Sequence, residues 1–230
     1  MSDHIVRAFT EELEALSADL LRMGGLAETM INDACLSVTA PNATLGASVM
    51  ATDIEVDALE AAIEKRITRL LALRQPLARD LREVLAALKI SHDLERIGDL
   101  SKNIAKRAGA LDGGADGAVL KGVERMGRAV SAQLQAVLDA YASRNSDEAL
   151  RVWEADEDVD QHYNSYFREV LTYMMEDPRT IGSGAHILFM AKNLERIGDH
   201  CTNIAEVVHY LVTGEQLSSA ERPKAPELEV

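Results

Sequence analysis

Carboxylates recur in this chain at the spacing that stacks them on one face of a helix. Asp93-Leu94-Glu95-Arg96-Ile97-Gly98-Asp99 is followed by Asn103-Ile104-Ala105. The same block returns 100 residues later as Asn193-Leu194-Glu195-Arg196-Ile197-Gly198-Asp199, followed by Asn203-Ile204-Ala205. Each copy holds Glu-x-x-x-Asp, and residues at i and i+4 are neighbours on a helix surface. Ahead of each copy stands Asp-x-x-x-Asp, as Asp53 and Asp57 and again as Asp156 and Asp160. Acids placed this way repel one another, so a face of them requires a counter-charge or water. Ligands that are all oxygen suit hard cations such as Mg²⁺, Mn²⁺, Ca²⁺ or iron. A lone Glu-x-x-x-Asp is common on solvated helices. Two copies at repeat-equivalent positions, each preceded by a matching Asp pair, point to cation binding.

On a helical wheel with Glu95 at the origin, Asp99 falls near 40° and Asn103 near 80°. Leu81, Leu85 and Leu88 continue that sector toward the N-terminus, so the acids prolong an apolar stripe. Ile181, Ala185 and Leu188 precede Glu195, Asp199 and Asn203 in the same way. Ser91, Gly98 and Ala105 form a strip of small residues that admits a close neighbour. One helix earlier, Asp53, Asp57, Glu60 and Glu64 share a sector beside apolar Val56, Leu59, Ile63 and Ile67. In the second half Tyr163 and Phe167 align with Glu60 and Glu64, so that site is expected to be poorer in carboxylates and unequally occupied.

Six helices must carry these residues. Pro41, Pro76 and Pro178, the glycines between Gly109 and Gly117, and the turn Ser143-Arg144-Asn145-Ser146-Asp147 punctuate the chain. The segments between them are 4–38, 43–73, 76–109, 116–143, 147–175 and 179–213. Gly24-Gly25 offers the first helix a point to kink, and Asn145-Ser146-Asp147 offers an N-cap ahead of Glu148. No segment alternates apolar and polar residues over a strand's length. Val49 through Asp57 aligns with Val152 through Asp160, which extends the repeat to whole halves. The expected architecture is all-α: six long helices forming two repeated three-helix bundles with pseudo-twofold symmetry. The halves are residues 1–112 and 113–214, and 215–230 is expected to be a flexible polar tail.

Composition narrows the function. Hydrophobic residues make up 47% and aromatics only 4%, the mixture of helical cores. A net charge of −14 argues against nucleic acid and against docking on an anionic leaflet, and favours cations and basic protein surfaces. No apolar run is long enough to span a membrane, and Met1-Ser2-Asp3-His4 does not open a signal peptide. Cys35 and Cys201 stand apart, as reduced thiols of a cytosolic protein would.

The block L-E-R-I-G-D-x-x-x-N-I-A, present twice with D-x-x-x-D on the preceding helix of each half, resembles the PhoU family over nearly the whole chain to about residue 213. The resemblance implies paired three-helix bundles, often as a homodimer. It implies a cytoplasmic negative regulator of phosphate uptake and of phosphate-regulon signalling, peripheral to the inner membrane through its partners. Those partners would be the ATPase subunit of the Pst transporter and a membrane sensor histidine kinase. The family's E(D)-x-x-x-D motifs carry metal clusters in some members. The matching residues here are Asp53, Asp57, Glu95 and Asp99, then Asp156, Asp160, Glu195 and Asp199. Iron, manganese, magnesium and zinc are the ions to consider.

Arg96 and Arg196 lie about 100° from their glutamates on the wheel, facing away from the ligands and placed either to hold a partner's carboxylates or to pair with nearby acids of the same bundle. His92 lies on the acidic sector as a further ligand candidate, with Lys192 as its repeat counterpart. His200 and Cys201 read as packing or surface residues, and Trp153, Tyr163, Tyr166, Phe167 and Tyr173 as core or interface. No P-loop, nucleophile elbow or G-x-G-x-x-G stands in a strand-to-helix context, so no enzyme is expected. A di-iron oxidase of the ferritin-like kind would need Glu-x-x-His, but Gly98 and Gly198 stand where the histidines belong. A metal-free acidic helical scaffold is the other alternative.

Overall fold

The computed structural model describes residues 2–40, 43–74, 76–111 and 116–217. Its helices are α1 (Ser2–Thr39), α2 (Ala43–Arg74), α3 (Arg79–Ala108), α4 (Gly117–Ser143), α5 (Ser146–Glu154), α6 (Asp156–Glu176) and α7 (Ile181–Thr213). A 3₁₀ turn, Pro178–Thr180, leads into α7. The described residues contain no strand. Pro41 and residues 218–230 of the expected tail lie outside them.

The architecture is all-α and follows the repeat. Helices α1, α2 and α3 pack together, as do α4, α5–α6 and α7. The halves join where α3 meets α7 and α1 meets α4, so these four form a central layer with α2 outside one half and α5–α6 outside the other. The α3 and α7 helices run antiparallel, since Arg107 stacks on Phe189 at one end and Arg82 lies over Tyr210 at the other. Both copies of the block bury the same positions. Leu94 and Leu194, and Ile97 and Ile197, are all fully buried. Burying each such side chain contributes about 1.5–3 kcal/mol, so the apolar positions of the block orient it and thereby aim the acids.

Local chemistry sets the ends. Asp116 caps α4 by accepting from Ala118 N at 2.7 Å. Asn145 caps α5 by accepting from Asp147 N at 3.0 Å and Glu148 N at 3.1 Å. Gly214 closes α7 with φ of 80°, in the left-handed region where glycine has no Cβ penalty.

Several expectations need correction. The segment 147–175 is broken at Ala155, where the helical ladder restarts at Asp156. The third helix begins at Arg79 rather than at Pro76. The first helix runs unbroken through Gly24-Gly25, because Gly24 serves close packing: a Cβ there would press on the Leu138 side chain of α4. The stripe leading to each acidic pair is a half-buried flank, with Leu85 and Ile181 exposed.

Candidate metal centre

The first cluster forms where α2 lies along α3. Asp53 is buried against α3 and Asp57 is exposed one turn on. Glu95 and Asp99 face them from α3. Between them stands a residue that the motif does not contain. Lys102 Nζ lies 2.8 Å from Asp53 Oδ2 and 2.6 Å from Asp99 Oδ1, so one ammonium ties α2 to α3. Burial pushes the Asp99 carboxyl up, but the hydrogen bonds and charge of Lys102 outweigh it and hold Asp99 below its ordinary value. Burial likewise opposes the Lys102 charge, and hydrogen bonds to Asp53 and Asp99 overcome it, raising the lysine. Asp57 is raised, first by burial and then by the neighbouring Asp53 charge.

Glu95 occupies the other end of the cluster. Burial and then the Asp99 charge raise its carboxyl. Its Oε2 is shielded from solvent and makes no hydrogen bond, with Arg96 Nε at 3.5 Å as its nearest cation. Arg96 thus turns back over its own helix, also reaching Asp99 at 3.6 Å, instead of facing away as the wheel places it. Glu60 and His92 complete this end. His92 Nδ1 lies 3.5 Å from Glu60 Oε1, and one ligand atom from each of Glu60, His92 and Glu95 can be chosen so that all lie within 4.8 Å of one another.

The second cluster, between α6 and α7, is built from the matching acids but closed differently. Asp156 is buried, and its Oδ1 accepts from Thr202 Oγ1 at 2.8 Å. Thr202 stands at the repeat position of Lys102, so a neutral hydroxyl replaces an ammonium. Lys192 replaces His92 and lies 2.6 Å from Glu195 Oε1. Glu195 is raised by burial, with the Lys192 hydrogen bond and charge lowering it and the Asp199 and Asp160 charges raising it. Its Oε2 is also buried without a hydrogen bond. Tyr163 and Phe167 stand at the repeat positions of Glu60 and Glu64, their rings 6.0 Å apart. Both amide atoms of buried Gln133 lack a hydrogen bond, and a Cβ on Gly198 would sit 3.3 Å from Gln133 Oε1 and 3.6 Å from Asp156 Oδ1. The fold therefore gathers the two foursomes as two separate clusters, one in each half.

The donor set fits a divalent cation. Glu195 Oε2 is buried with no hydrogen bond, and Glu95 Oε2 has only the Arg96 guanidinium at 3.5 Å; a buried acceptor left unsatisfied costs about 1–3 kcal/mol. Sequence reasoning did not single out Lys102, Thr202 or Gln133. Lys102 was open to it, since seven residues after Glu95 places it about 20° from that glutamate on the wheel.

The repeated fold and the duplicated acidic motif now stand together, and a family model describing the PhoU domain matches the chain twice, at residues 20–108 and 123–208. The chain belongs to the PhoU family. The phosphate-specific transport system accessory protein PhoU homolog of Caulobacter vibrioides (strain NA1000 / CB15N) is 51% identical over 225 residues, 97% of each chain. The accessory protein PhoU of Escherichia coli (strain K12) is 39% identical over 94% of this chain and 89% of its own. The crystal structure of PhoU from Pseudomonas aeruginosa superposes with a TM-score of 0.87 at 41% identity, covering 90% of this chain and all of that one. The phosphate transport system regulatory protein PhoU from Streptococcus pneumoniae gives a TM-score of 0.83 at 30% identity over 91% of this chain and 99% of its own.

Within this PhoU-family chain, other polar and aromatic residues hold the bundles together. His200 Nδ1 lies 2.9 Å from Asp93 Oδ1, and Asn203 donates to the same oxygen at 3.4 Å, so His200 joins the two halves. Cys35 and Cys201 are buried free thiols, and burial pushes Cys35 up to about 12. Trp153 is core, its indole N–H donating to Glu206 Oε1 at 3.0 Å. No helix among the described residues is long and apolar enough to cross a membrane.

Proposed function

We propose that this protein is a regulator of phosphate transport that works by binding. It restrains phosphate uptake and phosphate-regulon signalling by contacting the ATPase subunit of the Pst transporter and a membrane sensor histidine kinase. It does so from the cytoplasm, as a homodimer held near the inner membrane through its partners. The observation that carries this reading is the PhoU match over both halves, with relatives named as phosphate-specific transport accessory proteins.

Metal enters the reading as a structural staple. Bound divalent ions would supply positive charge to balance Asp57, Glu60 and Glu95 on one side, and Asp160, Glu195 and Asp199 on the other. The chain's own residues then set the spacing of α2 against α3 and of α6 against α7, and with it the acidic surface offered to a basic partner. A reading without metal has one observation in its favour: Lys102 already neutralises part of the first cluster. A ferritin-like oxidase is disfavoured, since Gly98 packs against Met30 and Val56, and Gly198 against Val159, with no imidazole at either position.

Affinity capture from cells grown with and without phosphate tests the proposal. The transporter ATPase and a histidine kinase should co-purify, and the yield should fall as salt rises, because exposed charges are screened over about 8–10 Å. Recovery of neither partner under either condition would refute it. Metal analysis of protein purified without chelator separates the two structural readings.

A further inference from the structure

We infer that the groove between the start of α3 and the end of α7 binds a small phosphate-bearing molecule, with Arg82 and Lys89 holding the phosphate. The groove shares no residue with either acidic cluster, so the inference is independent of the metal staple.

Its volume is about 420 Å³, within the range of about 300–1,000 Å³ that small-molecule sites occupy. Leu85 and Leu88 of α3 and Val207 of α7 give it an apolar wall.

Arg82 sets this groove apart. Its Nε is buried, and among the described residues the guanidinium makes neither a hydrogen bond nor an ion pair. By contrast, the partly buried Arg66, Arg74 and Arg144 each pair with an acid of another helix. The one group over which Arg82 lies is the Tyr210 ring, whose centroid is 6.0 Å from Cζ, at the limit of a cation–π contact. The C-terminal end of α7 attracts a cation, yet Arg82 donates to none of its carbonyls. Gly214 keeps the room, because a Cβ there would overlap Arg82 Nη1. A guanidinium offers five N–H donors in a fork that matches phosphate oxygens.

Lys89 adds a second charge. Seven residues after Arg82, it lies about 10.5 Å along the helix and about 20° around it, on the same face. It is exposed and pairs with no acid among the described residues. Helical side chains lean toward the N-terminus, which brings this ammonium toward Arg82. A phosphate ester carries a charge of about −1.5 to −2, which two cations match better than they match a single carboxylate. Glu206 also lines the groove and opposes an anion. Its Oε1 is engaged by the Trp153 indole N–H at 3.0 Å, and its other oxygen can accept from a ligand hydroxyl. In the second half Gly182 and Phe189 stand at the repeat positions of Arg82 and Lys89, so the duplication supplies this pair of cations once.

Calorimetric titration of the chelator-stripped full chain with adenosine monophosphate, inorganic phosphate and adenosine tests this. A phosphate-bearing probe should bind, and adenosine should not. Arg82→Gln should weaken binding at least about tenfold, since charge-assisted bonds to a shielded guanidinium are the strong ones. Lys89→Gln should weaken it about two- to fivefold, as befits an exposed charge. Arg82 has no protein acid to lose, so Arg82→Gln should melt as wild type does. The methyl ¹³C resonances of Leu85, Leu88 and Val207 should shift as the probe saturates. Binding of adenosine monophosphate alone assigns an organic ester as the ligand, and equal binding of inorganic phosphate assigns the free ion. No binding of either phosphate probe at millimolar concentration overturns the inference. So does adenosine binding as tightly as its monophosphate, unchanged binding by Arg82→Gln, or binding that leaves those methyl resonances in place. Partner capture is read separately, so failure here leaves the transport-regulator reading standing.

Discussion

Lys102→Met isolates the tie between α2 and α3, and its cost can be worked from the contacts. The ammonium makes two charge-assisted hydrogen bonds, at 2.8 and 2.6 Å. Hydrogen bonds to charged groups contribute about 1.5–3 kcal/mol each when shielded. Breaking a fully buried pair costs about 3–5 kcal/mol, whereas an exposed pair contributes about 0–1 kcal/mol. Lys102 is 20% exposed and Asp53 is buried, so the cost falls between these limits, at about 2 kcal/mol in metal-free protein. For a chain of this length about 2–4 °C accompanies each kcal/mol, which gives a fall of about 4–8 °C in melting temperature. The assay is a circular dichroism melt near neutral pH with chelator present. Asp53→Asn should cost less in the Lys102→Met background than in wild type, because the partners share the interaction. Adding Mn²⁺ should recover much of the loss in Lys102→Met, since the vacated carboxylates would then hold an ion. A melting temperature unchanged within about 1 °C in chelator would refute the tie.

Two further expectations follow from the same chemistry. Burial raises the Glu195 carboxyl, so the folded protein binds that proton more tightly than the unfolded chain, and this group lowers stability as pH rises above 4.5 through the folded value. Glu195→Gln should therefore raise the melting temperature of metal-free protein more at about pH 7.5 than at about pH 5, and an equal effect at both would contradict the burial argument. Among the glycines, Gly122→Ala should cost about 1–2 kcal/mol by urea denaturation, because its Cβ would overlap the Tyr166 ring, whose hydroxyl is held by Val119 O at 2.6 Å. Gly25→Ala, which meets open space, should gain up to about 1 kcal/mol, and similar values for the two would undo the packing account.

Much of the fold was legible because helix periodicity and punctuation are local. Proline and glycine mark where the hydrogen-bond ladder must stop, and the repeated Leu94/Leu194 and Ile97/Ile197 positions report which face is buried. The break at Ala155 was not legible, since alanine is the best helix former and nothing local forbids continuation. Gly24 misled for the converse reason: its role is to let Leu138 of α4 approach, a contact between residues far apart in sequence.

The candidate site divides along the same line. Spacing alone put Glu95 with Asp99 and Asp53 with Asp57 on common faces, since 3.6 residues per turn leaves no other arrangement. The duplicated motif also carried the family by itself. Only packing decided that Lys102 seats itself between two helices, that Thr202 replaces it in the second half, and that Glu60 and His92 converge on Glu95. Charge balance depends on distances across helices, and a helical wheel holds one helix at a time. The sequence therefore determined which carboxylates could act together, and tertiary structure decided which cation each one faces.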